Sequence, residues 1–250
     1  MTYRVLIIEH EAEAGPGFFG EWLAAAGTRP EVVRPYLGEK VPAEVSAHGL
    51  MVLGGAASAW DDDGHPWLPA TRALIRHAVA SSLPTLGICL GAQLMTLACG
   101  GRVERGAAGL EVGLRPVTPL PAAADDPLLA GLPTAPRAVQ YHQDAMTVLP
   151  TGAVPLATGD PYPNQAYRLG ERAWAVQFHP EASPAIFHSW TAPNVAELAG
   201  AGYDRARLDA EVAAADAELR ATWRPLAEAF AAVVARTPQP PPRHTPVFSP

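Results

Sequence analysis

The alternation of short apolar runs with helical segments in the first hundred residues constrains the fold most. Runs rich in Val, Ile or Leu predict buried strands at residues 5–8, 31–33, 50–53 and 85–88. Segments with helical apolar spacing predict helices at residues 18–26, 67–81 and 90–98. Strands that alternate with helices of this length predict an α/β fold with an open, mostly parallel sheet and helices on both faces.

The second half of the chain has a different pattern. Proline and glycine become frequent, and strands are predicted at residues 112–117, 154–157, 165–168 and 174–178. We expect these strands to extend the same sheet as antiparallel or mixed strands. Apolar residues at helical spacing from Leu208 to Val233 predict a C-terminal helical extension, which Pro225 should break or kink. We expect this apolar stripe to pack on the chain's own body, and the alternative is a partner surface.

Charge and cysteine content exclude several classes of protein. The chain has 18 Lys and Arg against 25 Asp and Glu, which argues against binding by neutralisation of nucleic-acid phosphates. Residues 78–101 are uncharged and long enough to span a membrane, but Pro84, Gly87 and Gly91 interrupt them. Two cysteines are too few for a disulfide framework, and the first apolar run is too short for a secretory signal. We therefore expect a soluble cytoplasmic protein that binds neither nucleic acid nor membranes.

The strongest functional signal is Gly87-Ile88-Cys89-Leu90-Gly91, which lies between a predicted strand and a predicted helix. A nucleophile at such a tight turn projects away from the sheet, and its neighbours two residues away must be small. The start of a helix also favours the reactive thiolate. A buried core cysteine is the alternative, and the flanking glycines argue against it. Cys99 has no such context, and we expect it to be a structural residue within the helix.

A nucleophilic cysteine needs a base, and His179 is the best candidate among the histidines. It follows the strand predicted at residues 174–178, so it should reach the same edge of the sheet as Cys89. Pro180 fixes the turn, and Glu181 can then fold back to hold the second imidazole nitrogen. Six other histidines are more simply explained as surface or hydrogen-bonded residues: His10, His48, His65, His77, His188 and His244.

In combination these motifs resemble the class I glutamine amidotransferases, and within them stand-alone relatives of the GMP synthase glutaminase domain. The resemblance covers roughly residues 3–190 and rests on residues 87–93, His179-Pro180-Glu181, Leu53-Gly54-Gly55 and Tyr141-His142-Gln143-Asp144. It implies a flavodoxin-like catalytic domain over residues 1–190. A helical extension over residues 191–236 and a proline-rich disordered tail over residues 237–250 are expected to follow.

The resemblance implies a role for each matching residue. Cys89 would attack the side-chain amide of glutamine to give a γ-glutamyl thioester and ammonia, while His179 transfers protons and Glu181 orients its ring. The backbone N–H groups of Gly55 and Leu90 would form the oxyanion hole. Six residues would bind substrate: Gly54, Gln93, Tyr141, His142, Gln143 and Asp144. No metal or other cofactor is implied.

Three features depart from the family pattern or need separate interpretation. Ala56 stands where proline is frequent, which should leave the Gly55 N–H available. Gln143 stands where glycine is usual, so it could narrow the pocket or alter the substrate. The acidic residues 61–63 are interpreted as a solvated turn, because the alternating ligands and distal Glu of a calcium loop are missing.

The sequence contains no Gly-rich phosphate loop with a lysine, since Lys40 is its one lysine. We therefore expect ammonia to pass to an acceptor on a separate synthetase subunit. Two alternatives stay open: a γ-glutamyl hydrolase that acts on a γ-glutamyl amine or peptide, and a non-catalytic module of the same fold. The complete set of Cys89, His179 and Glu181 argues against the second alternative.

Overall fold

The computed structural model describes residues 2–237 of the chain. Its strands are β1 (Tyr3–Ile8), β2 (Thr28–Val33), β3 (Gly49–Val52), β4 (Thr85–Ile88), β5 (Arg102–Arg105), β6 (Glu111–Pro116), β7 (Thr118–Pro119), β8 (Arg137–His142), β9 (Asp144–Val148), β10 (Ala153–Thr158), β11 (Ala166–Leu169) and β12 (Ala173–Val176). Its α-helices are α1 (Gly17–Ala25), α2 (Leu68–Ala80), α3 (Leu90–Ala98), α4 (Pro184–Thr191), α5 (Val195–Gly200), α6 (Arg205–Ala214) and α7 (Asp216–Ala235), and short 3-10 helices cover Pro35–Leu37 and Pro121–Asp125. Apart from Thr237, the tail predicted over residues 237–250 lies outside the described residues.

The main sheet has eight strands in the order β2-β1-β3-β4-β12-β11-β10-β7. The first five of these strands are parallel, and β11, β10 and β7 continue the sheet in antiparallel fashion. Helices cover both faces: α1 and α7 pack on one, α2 and α3 on the other. Burial from both sides explains why β1, β3 and β4 read as continuous apolar runs rather than alternating ones. The predicted open, mostly parallel α/β sheet is confirmed.

One strand predicted for this sheet lies elsewhere. The strand predicted at residues 112–117 is β6, which pairs with β8 in a separate two-stranded sheet. Gly113 has a φ of 93°, and a Cβ atom there would lie 2.6 Å from Leu208 of α6. Thus β6 packs against α6 and pairs with β8, and the prediction that it extends the main sheet is wrong. β5 and β9 form a second small sheet, which was not predicted.

The C-terminal apolar stripe is buried against the chain's own body, from Leu208 to Val233. The prediction at Pro225 was a break or a kink; helix α7 continues through this residue, so the break is wrong. Trp223 and Leu226 flank the proline and are buried, and their packing holds the helix together despite the lost backbone hydrogen bond. Cys99 is also corrected, since it follows the last residue of α3 instead of lying within the helix.

The uncharged segment at residues 78–101 forms the end of α2, all of β4 and α3, and the beginning of the next turn. In the part of the chain that the structure describes, no helix is long and apolar enough to cross a membrane.

Candidate active site

Four parallel strands end at one edge of the main sheet and bring the functional candidates there. The residues that follow their carboxyl ends are His10 and Glu11 after β1, Gly54 and Gly55 after β3, Cys89 after β4, and Gln177 to His179 after β12. The backbone N–H of Cys89 donates to the carbonyl of Val176, the last residue of β12, at 2.8 Å. Ligand crevices of open α/β sheets form at such an edge.

Cys89 occupies a strained turn between β4 and α3. Its φ is positive at 49°, a conformation that side-chain-bearing residues seldom adopt. A Cβ atom on Gly87 would lie 2.6 Å from the carbonyl oxygen of Gly91, and one on Gly91 would lie 2.0 Å from that of Val52. Both flanking positions therefore require glycine. The turn presents the thiol at the start of α3, whose first N–H groups have no intrahelical acceptors.

His179 and Glu181 form a buried hydrogen-bonded pair beside Cys89. Nδ1 of His179 lies 2.8 Å from Oε1 of Glu181, and both side chains are almost completely buried. Because Nδ1 is engaged with Glu181, Nε2 is the imidazole nitrogen that remains for Cys89. Burial disfavours the imidazolium, but the charges of Cys89 and Glu181 outweigh burial and raise the pKa of His179 to about 10. The arrangement thus favours the protonated form of the His179 imidazole.

Segments distant in sequence hold this pair in place. The backbone N–H of Phe18 donates to the carbonyl of Glu181 at 2.9 Å. Gly17, with a φ of 46°, makes this approach possible, because a Cβ atom there would lie 2.2 Å from the same oxygen. The ring of Trp190, in α4, lies 4.6 Å from the His179 ring, centroid to centroid. Loop and helix together therefore restrict the imidazole.

The segment that follows β3 runs between His179 and His10. A Cβ atom on Gly54 would lie 2.8 Å from Cε1 of His179, and one on Gly55 would lie 2.9 Å from Cβ of His10. The next backbone N–H, that of Ala56, donates to Oε2 of Glu11 at 3.2 Å. His10 and Glu11, which follow β1, therefore define the path of the segment that carries the Gly55 N–H.

His10 is not the surface or fully hydrogen-bonded residue that we expected. It is buried, and Nδ1 accepts a hydrogen bond from Nε1 of Trp67 at 3.0 Å, so the imidazole proton is on Nε2. Within residues 2–237, Nε2 has no hydrogen-bond partner. Burial, with a smaller effect of His65, lowers the pKa of His10 to about 3. The ring behind Gly55 is therefore neutral at physiological pH.

This buried ring should make the protein less stable in acid. The folded-state pKa of His10 is about 3 against an ordinary 6.5, so below pH 6.5 the unfolded chain binds the proton first. Between pH 6.5 and 3 the free energy of unfolding should fall by up to ~1.4 kcal/mol per pH unit on this account. We expect His10→Asn, whose amide oxygen can still accept from Trp67, to flatten this dependence in urea titrations. An equal flattening by His77→Asn, on an exposed part of α2, would contradict the assignment.

The predicted substrate segment, Tyr141 to Asp144, joins β8 to β9. Both nitrogens of buried His142 have protein partners: Nε2 lies 2.8 Å from Oε2 of Glu111, and Nδ1 lies 2.9 Å from the carbonyl oxygen of Asp144. Oε1 of Gln143 accepts from Arg105 at 2.7 Å, and Arg105 also pairs with the Asp144 carboxylate at 2.9 Å. Gln143 is thus held at the rim by Arg105.

A cavity of about 360 Å³ connects these elements. The predicted residues that line it are Gly55, Cys89, Gln93, Tyr141, His142, Gln143, Asp144 and His179. Three predicted residues are not among those that line it: Gly54, Leu90 and Glu181. Residues that sequence reasoning missed also line it, among them Glu11, Arg105, Trp190 and Glu197. Glu11 could have been found, because it follows a strand that ends at the same edge.

The acidic turn at residues 61–63 is engaged with nearby basic side chains. Asp62 pairs with Arg72 at 2.6 Å, and Asp61 lies 2.9 Å from Nδ1 of His65. Over residues 2–237, no group of three or more His, Cys, Asp or Glu residues is arranged to hold a metal ion.

The sequence of the chain is similar to those of several known proteins. The chain is 36% identical over 159 residues to the glutamine-hydrolysing GMP synthase of Porphyromonas gingivalis, a match to 63% of this chain and 28% of that enzyme. It is 33% identical over 157 residues to one subunit of the glutamine-hydrolysing GMP synthase of Halobacterium salinarum, covering 60% of this chain and 78% of that polypeptide. It is 30% identical over 140 residues to γ-glutamyl peptidase 5 of Arabidopsis thaliana, covering 55% of each chain. The chain thus spans less than a third of the Porphyromonas enzyme.

A solved structure and a family model cover more of the chain. The structure of a glutamine amidotransferase from Methylobacillus flagellatus matches with a TM-score of 0.82 and 32% identity over 98% of both chains. The family model "Glutamine amidotransferase class-I" matches residues 21–192, more than half of the chain. On both grounds, this chain belongs to the class I glutamine amidotransferase family.

Proposed function

We propose that the chain releases ammonia from the side-chain amide of glutamine, with Cys89 as nucleophile, His179 as acid and base, and Glu181 as the group that orients the imidazole. The observation that carries this proposal is that Cys89 and His179 both lie against Gly54 at the carboxyl edge of the sheet, with His179 hydrogen-bonded to Glu181 and all three side chains buried. A buried carboxylate behind an imidazole fixes its tautomer and stabilises its cation, which is what a cysteine nucleophile requires.

In the first half-reaction, the Cys89 thiolate attacks the amide carbon, and a C–S bond forms as the carbonyl electrons move to oxygen. The N–H groups of Gly55 and Leu90 donate hydrogen bonds to this oxyanion. When the carbonyl re-forms, the C–N bond breaks and the His179 imidazolium gives its proton to the leaving nitrogen. The products are ammonia and a γ-glutamyl thioester on Cys89.

In the second half-reaction, neutral His179 takes a proton from water as the water oxygen attacks the thioester carbon. The C–S bond then breaks, the electron pair returns to sulfur, and glutamate leaves. The sum is glutamine plus water giving glutamate plus ammonia, and the thiolate–imidazolium pair is restored. No cofactor is needed for this sequence.

The hydrogen bonds around Gln93 limit how it can recognise substrate. Its Nε2 donates to the carbonyl of Asp144 at 3.0 Å and to Oε1 of Gln177 at 3.2 Å. Both N–H groups are therefore used within the protein, and Oε1 is the atom left for a ligand. We propose that Gln93 accepts a hydrogen bond from the α-ammonium group of the substrate.

Cys89 should react with iodoacetamide faster than Cys99 at neutral pH. Burial raises the pKa of the Cys99 thiol, whereas Cys89 faces the protonated imidazole of His179 and lines the cavity. Peptide mapping after brief labelling measures both rates in one sample. Preferential labelling of Cys99 would count heavily against Cys89 as nucleophile.

The second candidate function is hydrolysis of a γ-glutamyl amine or peptide by the same thioester chemistry. Similarity to the Arabidopsis γ-glutamyl peptidase supports it. The deciding experiment compares glutamate release from glutamine with release from γ-glutamyl amides and γ-glutamyl peptides by the full chain. A kcat/KM higher for glutamine than for every larger substrate supports the amidotransferase proposal, and the reverse order supports the hydrolase.

We further propose that ammonia passes to an acceptor on a separate synthetase polypeptide. Similarity to the Halobacterium GMP synthase polypeptide, which is one subunit of its enzyme, supports this proposal. We expect low basal glutaminase activity that rises when the cognate synthetase is added, because Gly54 and Gly55 allow the oxyanion segment to change conformation. The measurement is ammonia release from glutamine by the purified chain, with and without added protein fractions from an extract of the cells that produce it. High activity of the isolated chain that no fraction raises would contradict this expectation.

A further inference from the structure

We propose that Gln177 is an additional catalytic residue, whose amide N–H donates a hydrogen bond to Sγ of Cys89 and favours the thiolate. The inference rests on the proposed role of Cys89 as nucleophile. Gln177 directly follows β12 and is almost completely buried. Its Nε2 lies 3.7 Å from Sγ of Cys89, within the range of hydrogen bonds to sulfur.

The orientation of the Gln177 amide follows from a carbonyl group that can only accept. The backbone oxygen of Asp144 lies 3.0 Å from the Gln93 amide, so the Gln93 atom that faces it must be the nitrogen, Nε2. The second N–H of that nitrogen points to Gln177 at 3.2 Å, so the Gln177 atom that faces it must be the oxygen. The nitrogen of Gln177 is therefore the atom directed at Cys89.

A donor in this position acts on both halves of the reaction. A hydrogen bond to an ionised group is stronger than one to its neutral form, so the amide favours the thiolate over the thiol. When the thioester is hydrolysed, negative charge returns to the same sulfur, and the same N–H stabilises it. Gln93 then has a positioning role as well, because its amide prevents rotation of the Gln177 amide.

Charged side chains from several segments line the cavity with Cys89, and α3 contributes none of them: Glu11, Glu13, Arg105, Asp144, His179 and Glu197. His179 and Glu181 follow β12, and Glu11 follows β1. His179 supplies a positive charge on one side of the sulfur. Gln177 is a neutral donor, so its contribution can be separated from that of the imidazole by a substitution that leaves the histidine in place.

The test is the labelling rate of Cys89 with iodoacetamide in the full chain, with Cys99 as an internal reference. Gln177→Glu keeps the shape and the acceptor for Gln93 but replaces the donor to sulfur by a carboxylate oxygen. We expect labelling of Cys89 at pH 7 to fall about 10-fold or more, as for loss of a hydrogen bond to a charged group. The difference in labelling rate between Gln177→Glu and wild type should narrow at pH 9.5. This pH is above the ordinary pKa of a cysteine thiol, so the thiolate forms there without help from the donor. Gln177→Met, without a charge, should show the same direction with a smaller fall.

Two controls distinguish this role from a general effect on packing. Thr96 lies in α3, the helix that begins after Cys89, and makes a buried hydrogen bond to Tyr167. Thr96→Val removes this bond and should leave the labelling rate of Cys89 unchanged. Gln93→Leu should slow labelling, and the Gln93→Leu/Gln177→Met double variant should be no slower than Gln177→Met, because both act through one hydrogen bond.

Three outcomes would overturn the proposal. Wild-type labelling rates in both Gln177 variants would exclude the donor role while leaving Cys89 as nucleophile. A fall of the same size at pH 7 and pH 9.5 would indicate blocked access in place of a lost donor. Slow labelling of Cys89 in the wild-type chain would contradict the proposed function itself, and this inference with it.

Discussion

Cys89→Ala is expected to abolish ammonia release from glutamine, with a fall in kcat of at least ~10⁴-fold, because the other cysteine, Cys99, does not line the cavity and cannot form the thioester in its place. The fold should survive this substitution. Alanine has the same Cβ atom as cysteine and a smaller side chain, so it adds neither bulk nor backbone strain at the turn, where φ is 49°. The measurement is coupled detection of glutamate, with the midpoint of thermal unfolding recorded on the same sample.

Cys99→Ala is the matched control for this substitution. Cys99 is half-buried at the end of α3 and outside the cavity. It should retain wild-type turnover. Equal loss in both variants, or substantial activity in Cys89→Ala, would show that the chemistry does not depend on a Cys89 thioester.

His179→Ala is expected to lower kcat by ~10²–10⁴-fold, the usual contribution of a positioned acid–base group. Glu181→Gln should lose less, because its amide can still accept from Nδ1 but no longer stabilises the imidazolium by charge. The raised pKa of His179, about 10, means that its imidazolium stands beside Cys89 at pH 7. His179→Ala removes this cation and Glu181→Gln destabilises it, so labelling of Cys89 should slow more in the first variant than in the second. Steady-state kinetics and labelling rates measure the two effects independently.

The control for His179 is His188→Ala. His188 is also paired with a carboxylate, that of Asp209 at 2.9 Å, but its side chain is 58% exposed and lies outside the cavity. It should leave kcat unchanged. If His179→Ala keeps wild-type turnover on the best substrate of the chain, another base acts and the proposed roles of His179 and Glu181 fail.

The amino-acid sequence was sufficient to predict the parallel half of the sheet and the placement of Cys89, His179 and Glu181 together at its edge. Strands of four to six residues and helices of nine or more carry local periodic signals, so β1, β3, β4 and α3 were found within a few residues. The turn at Cys89 is also encoded locally, because two glycines spaced two residues on either side are a steric requirement of that turn. The run His179-Pro180-Glu181 encodes its hydrogen bond in the same way, over three residues.

Partners distant in sequence were decided only by the tertiary structure. The apolar alternation of β6 predicts a strand but does not encode its neighbour, and packing against α6 placed it beside β8 in a different sheet. Pro225 breaks an isolated helix, yet the buried side chains around it keep α7 continuous. At β6 and at Pro225, burial of large apolar side chains contributes more free energy than the local conformational preference of the residues.

The same distinction holds within the site. The sequence by itself identified Cys89, His179 and Glu181 as the candidates for a nucleophile, a base and the group that orients the base. Each of them stands in a short motif, so no knowledge of the tertiary structure was needed. Only the tertiary structure brought His10 behind Gly55, Glu11 to the Ala56 N–H, and Gln177 to the sulfur of Cys89. The physical reason is that a buried polar group must find a hydrogen-bond partner in space, and that partner can lie anywhere along the chain. Gln93 and Gln177 are 84 residues apart, yet their amides determine each other's orientation.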